Sequence, residues 1–326
     1  MILVTGASGR IGRRLVPALA RRDQLRVLLR DQTPSPFSDC ERVRICRGDI
    51  SDYAAVERAF SSVTEVIHLA ATMHGSEREY IDGTLRGTEN VIRLCLENHV
   101  TKLVYLSSLS VLFLSKIAEG TDVDESWEYE PLPELRGLYT KYKLLAEQRV
   151  VDAVREHGLR ACILRPGEVL ERDAPHLSFS AGVKIGVITL SFMDKCANVP
   201  LIEIDDLVGV MLRLFDVCEF RGEIVNIVDP IVVSQAAYLG AYSSRTGAGR
   251  LTARIPLSVV VKLAKALDLV AKLCGVRFPF SVHRLRSAIG PRRFSSRVLR
   301  GYIGSREFGG VRFFLDDVRH ANTAPQ

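Results

Sequence analysis

The chain has 326 residues, 47% of them hydrophobic and 25% charged, with a net charge of +6. That length suits one large α/β domain or a domain with an attached lobe, and the apolar content is enough to fill a sizeable core. Seven scattered cysteines without a Cys-x-x-Cys pair argue against a disulfide framework or a zinc cluster, so they are read as reduced, mostly buried thiols and no metal is expected.

The apolar run Ile2 to Thr5 is followed by Gly6, Gly9 and Gly12 and then by a helix-forming stretch. A glycine-spaced turn between a strand and a helix predicts a dinucleotide loop. Gly6 allows the tight turn, Gly9 lets backbone approach a pyrophosphate, Gly12 lets the helix pack, and the helix N-terminus offers N–H groups to the anion. The first apolar run is needed as a strand, so no signal peptide is read and a cytoplasmic location is expected. Further strands are predicted near Leu25 to Arg30, Val43 to Cys46, Glu65 to Leu69, Lys102 to Ser107, Arg160 to Leu164 and Glu223 to Val228. Helices are expected between them, including Ile11 to Arg22, Thr84 to Asn98 and Leu138 to His157. Runs such as VIHLA and KLVYLS are apolar throughout, which fits strands buried on both faces of a parallel sheet. The fold class is therefore α/β: a Rossmann-like doubly wound parallel sheet with a smaller, discontinuous C-terminal lobe.

On this reading residues 1–166, with a returning segment at about 201–228, form the NAD(P)-binding domain, and residues 167–200 and 229–326 form the substrate-binding lobe. Leu257 to Val276 is the most hydrophobic stretch, but Lys262, Lys265, Asp268 and Lys272 recur along it. This predicts an amphipathic helix and not a transmembrane segment, with packing on the lobe favoured over lying on a membrane. The positive charge suits an anionic ligand, and no nucleic-acid partner is expected. Six arginines, Arg284, Arg286, Arg292, Arg293, Arg297 and Arg300, crowd the stretch after His283, and read either as a solvated face or as phosphate binders.

Tyr139 and Lys143 stand four residues apart, which puts them on one helix face. A tyrosine titrates near 10, too high for a base at neutral pH, and a neighbouring ammonium lowers it. Tyr139 could then exchange a proton with a substrate hydroxyl or carbonyl while a cofactor exchanges the hydride. Tyr142 is the competitor, and it has Ala146 where a lysine would be needed. His68 lies among apolar neighbours and reads as a packed strand residue.

Taken together the motifs resemble the extended short-chain dehydrogenases/reductases, the NAD-dependent epimerase/dehydratase family. The resemblance runs from residue 1 to about 230. It is carried by Thr5-Gly6-Ala7-Ser8-Gly9-Arg10-Ile11-Gly12, Gly48-Asp49-Ile50, the strand end His68-Leu69-Ala70-Ala71, Gly87-Thr88, Tyr105-Leu106-Ser107-Ser108, Tyr139 with Lys143, Leu164-Arg165-Pro166-Gly167 and Ile204-Asp205-Asp206. It implies that Tyr139 is the acid/base, that Lys143 holds the nicotinamide ribose and lowers the tyrosine pKa, and that Ser108 polarises the reacting oxygen. It implies a cofactor site at Gly6, Ser8, Gly9, Arg10, Ile11, Gly12, Arg30, Asp49, Ile50, Leu69, Ala70, Ala71, Ser107, Tyr139, Lys143 and Pro166. Asp49 reads equally as a turn residue. Arg30 ends a strand where an acid would grip ribose hydroxyls, so NADP is favoured over NAD, although Asp31 follows at once. Two departures stand out: Thr84 holds the place of the family's asparagine, and Glu168-Val169-Leu170-Glu171 replaces the Gly-Pro turn.

The expected function is reversible hydride transfer at an alcohol or ketone carbon of a small molecule. A nucleotide-linked sugar leads as substrate, with a homodimer as the family expectation. The alternatives are a reductase or dehydrogenase of an apolar, sterol- or flavonol-like alcohol, and a non-catalytic dinucleotide sensor.

Overall fold

The computed structural model describes residues 1–321 except 187, 195, 248–250, 274–281 and 305–307. Seven strands, β1 (Ile2–Thr5), β2 (Leu25–Leu29), β3 (Val43–Arg47), β4 (Glu65–His68), β5 (Lys102–Leu106), β6 (Ala161–Pro166) and β7 (Glu223–Ile227), form one parallel sheet. Their order is β7-β6-β5-β4-β1-β2-β3. The order reverses between β1 and β4, where Ile2 pairs with both Leu25 and Glu65, and a crevice opens at such a switch point beyond the strand C-termini.

Successive residues of a strand point to opposite faces. Ile2 and Val4 accordingly join one core with Leu15, Leu19, Leu164 and Leu214, while Leu3 joins another with Val66, Leu103, Val150 and Ile163. Burial on both faces fails at the edge strand β3, where Arg44, Ile45 and Arg47 are exposed. Helix Leu138–His157 runs as expected and stops at Gly158, whose φ of 67° a side-chain-bearing residue adopts with difficulty. The helix expected over Thr84 to Asn98 is α-helical only over Gly87–Glu97, with a π-turn over Ile81–Arg86 ahead of it.

The returning segment divides. Leu201–Glu203 pairs in parallel with Glu168–Leu170 outside the main sheet, helix Ile204–Val217 packs on helix Arg10–Ala20, and only β7 joins the sheet. The lobe contains a three-stranded sheet over Val183–Ile185, Ile188–Met193 and Leu251–Pro256, and a core built on Leu170, Tyr238, Leu239 and Phe314. Helix Arg297–Ile303, which the sequence assigns to the lobe, instead buries Leu299 in the nucleotide-domain core. Among the described residues no helix is long and apolar enough to cross a membrane. The six described cysteines form no disulfide; Cys95, Cys162 and Cys218 are buried, Cys196 is exposed, and Cys274 lies outside the described residues.

Candidate active site

The strand-to-helix turn after β1 has the geometry that anion binding needs. Gly6 has φ 70°, and a Cβ there would stand 2.6 Å from Ala70 N, so only glycine lets the loop lie against the end of β4. Gly9 is the N-cap of helix Arg10–Ala20, and both it and Arg10 are exposed, leaving the helix N-terminus open. A Cβ on Gly12 would come 2.5 Å from Ala7 O and 2.6 Å from Gly6 O. Gly12 thus lets the helix pack closely against the loop itself. Ser8 O accepts from Arg13 Nε at 2.8 Å, Ile11 packs on the core, and Arg10 pairs with Glu171 at 3.1 Å.

The other candidate cofactor positions border the same crevice. Leu69 N donates to Thr5 O, which ties Leu69-Ala70-Ala71 to the end of β1. Asp49 Oδ1 accepts from both Ser51 N at 2.8 Å and Ser51 Oγ at 2.6 Å, so the turn role is real. Ile50 meets Gly87, where a Cβ would lie 2.8 Å from its Cγ2. Arg30 is exposed just past β2, and Pro166 is buried at the end of β6. Thr84, in the asparagine place, accepts from Thr72 N at 2.9 Å and thereby steadies the loop after β4 at the π-turn.

Ser108, Tyr139 and Lys143 converge. Ser108 follows β5, its Oγ accepts from Ser110 N at 3.1 Å, and its side chain lies near enough to Tyr139 to pull that hydroxyl's pKa down. Tyr139 is half-buried in the first turn of its helix. Burial raises the Tyr139 pKa, the neighbouring Ser108 side chain and the Arg10 charge pull it down, and burial prevails. This corrects the expectation that Lys143 lowers it: the Lys143 ammonium instead donates to Leu106 O and lies 4.8 Å from the centre of the Tyr105 ring. Burial holds Lys143 at about 8, against the upward pull of Glu147. Tyr142 is occupied elsewhere, its hydroxyl donating to Glu77 Oε1 at 2.8 Å. His68 bridges Thr5 at 2.6 Å and Thr88 at 3.0 Å, and burial drops its pKa to about 3, so it is a neutral core residue.

One group escaped the sequence reading. Glu147, wholly buried, stands four residues beyond Lys143 and binds Arg165 Nε at 3.0 Å and Tyr129 Oη at 2.9 Å. It also accepts from Ser107, a candidate cofactor ligand whose hydroxyl therefore faces the protein interior. The signals were available: the spacing of four continues from Tyr139 through Lys143 to Glu147, and Arg165 is a charge inside the apolar strand Ala161–Pro166. A buried charge requires such a partner.

The arginine cluster separates by burial. Arg292 is buried, its Nη2 donates to Ser287 O, and burial with repulsion from Arg136 lowers it to about 9. Arg293 pairs with Asp122 at 2.9 Å. These two, with Arg297 and Arg300, line a cavity of about 460 Å³ beside Asn198 and Asp229. Arg284 stacks on the Phe179 ring, and Arg286 is exposed on helix Val282–Ala288.

Residues 2–227 match the profile of the NAD dependent epimerase/dehydratase family. Short-chain dehydrogenase/reductase family 42E member 1 of Danio rerio is 30% identical over 300 residues, 85% of this chain and 76% of that protein. Sterol-4-alpha-carboxylate 3-dehydrogenase erg26, decarboxylating, of Schizosaccharomyces pombe is 28% identical over 228 residues, 64% of this chain and 65% of that protein. Among solved structures, gox2253 superposes with a TM-score of 0.78 at 20% identity, covering 100% of this chain and 99% of the other. The Thermus thermophilus UDP-glucose 4-epimerase in complex with NAD gives 0.67 at 22% identity, covering 98% and 99%; both likenesses speak for the fold alone. With the family motifs spread along the strand ends of a doubly wound sheet and matched over residues 2–227, the chain belongs to the NAD-dependent epimerase/dehydratase family of oxidoreductases and epimerases.

Proposed function

We propose that the chain is an NAD(P)-dependent dehydrogenase or reductase acting at a secondary alcohol or ketone carbon of an apolar, sterol-like molecule. The observation that carries the chemistry is the approach of Ser108, just past β5, to Tyr139 on the helix that also bears Lys143, whose ammonium reaches Leu106 O at the end of the same strand. The residues around the crevice fit a dinucleotide: Gly6 to Gly12 for the pyrophosphate, Asp49 and Ile50 for the adenine, Leu69 to Ala71 and Pro166 along the strand ends, and Lys143 for the nicotinamide ribose. When bound there, the nicotinamide accepts or supplies the hydride. Tyr139 takes the hydroxyl proton during oxidation and returns it during reduction. Ser108 holds the reacting oxygen against Tyr139, and Glu147 paired with Arg165 ties the middle of the helix to β6.

The apolar substrate class is supported by the sterol named for the Schizosaccharomyces pombe relative. A nucleotide-linked sugar is a second reading, favoured by the arginine-lined cavity, where Arg292 Nε is buried without a hydrogen-bond partner among the described residues. We favour NADP over NAD because Arg30 is exposed past β2, whereas Arg10 is already paired with Glu171. Following nicotinamide absorbance with 3-hydroxysteroids and with UDP-sugars, together with calorimetric titration of UDP, tests both readings. Turnover of the sterols without UDP binding supports the first reading. UDP binding with sterol inertness replaces it with the second.

A further inference from the structure

Helix Leu257–Leu273 packs on the lobe strands Ile188–Met193 and Leu251–Pro256 and buries Ala264, as the amphipathic reading expects. The face turned furthest from Ala264 carries Lys262, but the flank beside it is apolar and exposed. Side chains are described up to residue 267, and within that part Val259, Leu263 and Leu267 are 51%, 59% and 40% exposed. At roughly 100° per residue these three fall within an arc of about 80°, one continuous apolar stripe. Lys262 is exposed beside the stripe, Lys265 is exposed further round on the same side, and Arg254 is exposed on the strand that leads into the helix. Asp268 and Lys272, the rest of the expected polar stripe, lie where side chains are not described.

We infer that this helix is a docking element for an anionic lipid surface, lying in the plane of the membrane interface. An apolar stripe bordered by lysines is the pattern that puts leucine and valine at the acyl boundary while ammonium groups reach the head groups. Positive charge at that border complements anionic lipid, and the chain as a whole carries +6. A second copy of the chain fits poorly. Three side chains fall well short of the roughly 800 Å² per partner that a stable dimer buries, and the pairing would bring lysine borders together. The helix does not cross the bilayer, since none of the described helices is long and apolar enough.

The test is co-flotation of the full chain with vesicles of phosphatidylcholine alone and of phosphatidylcholine mixed with phosphatidylglycerol. Binding is expected to the mixed vesicles, weakened by added salt. Leu263→Asp should weaken it by about tenfold or more, as loss of one buried leucine side chain implies. Lys262→Glu with Lys265→Glu should erase the preference for phosphatidylglycerol and leave the apolar contact. Leu263→Ser gives a milder variant should the aspartate disturb folding, and turnover in solution should match the native chain in each. Absence of binding to the mixed vesicles overturns the inference. So does equal binding by native and Leu263→Asp chains, or a dimer in sedimentation that Leu263→Asp dissolves.

Discussion

Replacing Lys143 with methionine should abolish turnover and stabilise the fold. Burial holds the ammonium at about 8 where a free lysine titrates at 10.5. At about 1.4 kcal/mol per pH decade, keeping it charged inside the folded chain costs about 3 kcal/mol at pH 7. Methionine fills the same channel without charge, and about 1 kcal/mol is lost because Leu106 O no longer has its donor. The net expectation at pH 7 is about 2 kcal/mol of added stability. The pH dependence is the sharper signature. Between about 8 and 10.5 the unfolded chain holds this proton and the folded chain has released it, so the native protein gains stability as pH rises through that window. The variant has no such group, and its advantage should shrink by about 2 kcal/mol between pH 7 and about pH 9.5. Urea unfolding of both proteins at the two pH values measures this. A variant less stable at pH 7, or an advantage that does not change with pH, would refute the argument that Lys143 is a buried, strained cation.

Other variants follow from the same geometry. Tyr139→Phe should lower turnover by about 100-fold or more with cofactor affinity kept, and Tyr142→Phe should change turnover little because its hydroxyl serves Glu77; initial rates on the two proteins decide. Gly12→Ala would drive a methyl into the Ala7 and Gly6 carbonyl oxygens and should raise the dinucleotide Kd strongly while the fold persists, as read by fluorescence titration. Arg30→Ala should reduce the ratio of NADP to NAD affinity by about tenfold, the worth of one charge-assisted contact, and an unchanged ratio removes the basis for NADP.

The sheet was legible because each strand needs only a short apolar run to be recognised, and six of the seven carry one that is buried. The glycine turn and the Tyr139–Lys143 spacing were legible for a similar reason: both are local. What the sequence hid depends on distant packing. The π-turn over Ile81–Arg86 lies inside an unbroken helical pattern. Helix Arg297–Ile303 reads as basic, and its assignment turns on where Leu299 is buried. The Tyr139 environment was misjudged because spacing places Lys143 on the same face but does not say that its ammonium turns to Leu106. Glu147 looked like an ordinary helix carboxylate until Arg165 and Ser107, 18 and 40 residues away, met it.

The most direct test of the proposed chemistry uses a 3-hydroxysteroid deuterated at its carbinol carbon, with the cofactor recovered after turnover and weighed by mass spectrometry. The native chain should move deuterium onto the nicotinamide, and Tyr139→Phe should leave the cofactor unlabelled over the same interval. Label appearing in water, or full transfer by Tyr139→Phe with loss in Tyr142→Phe, would contradict hydride transfer centred on Tyr139.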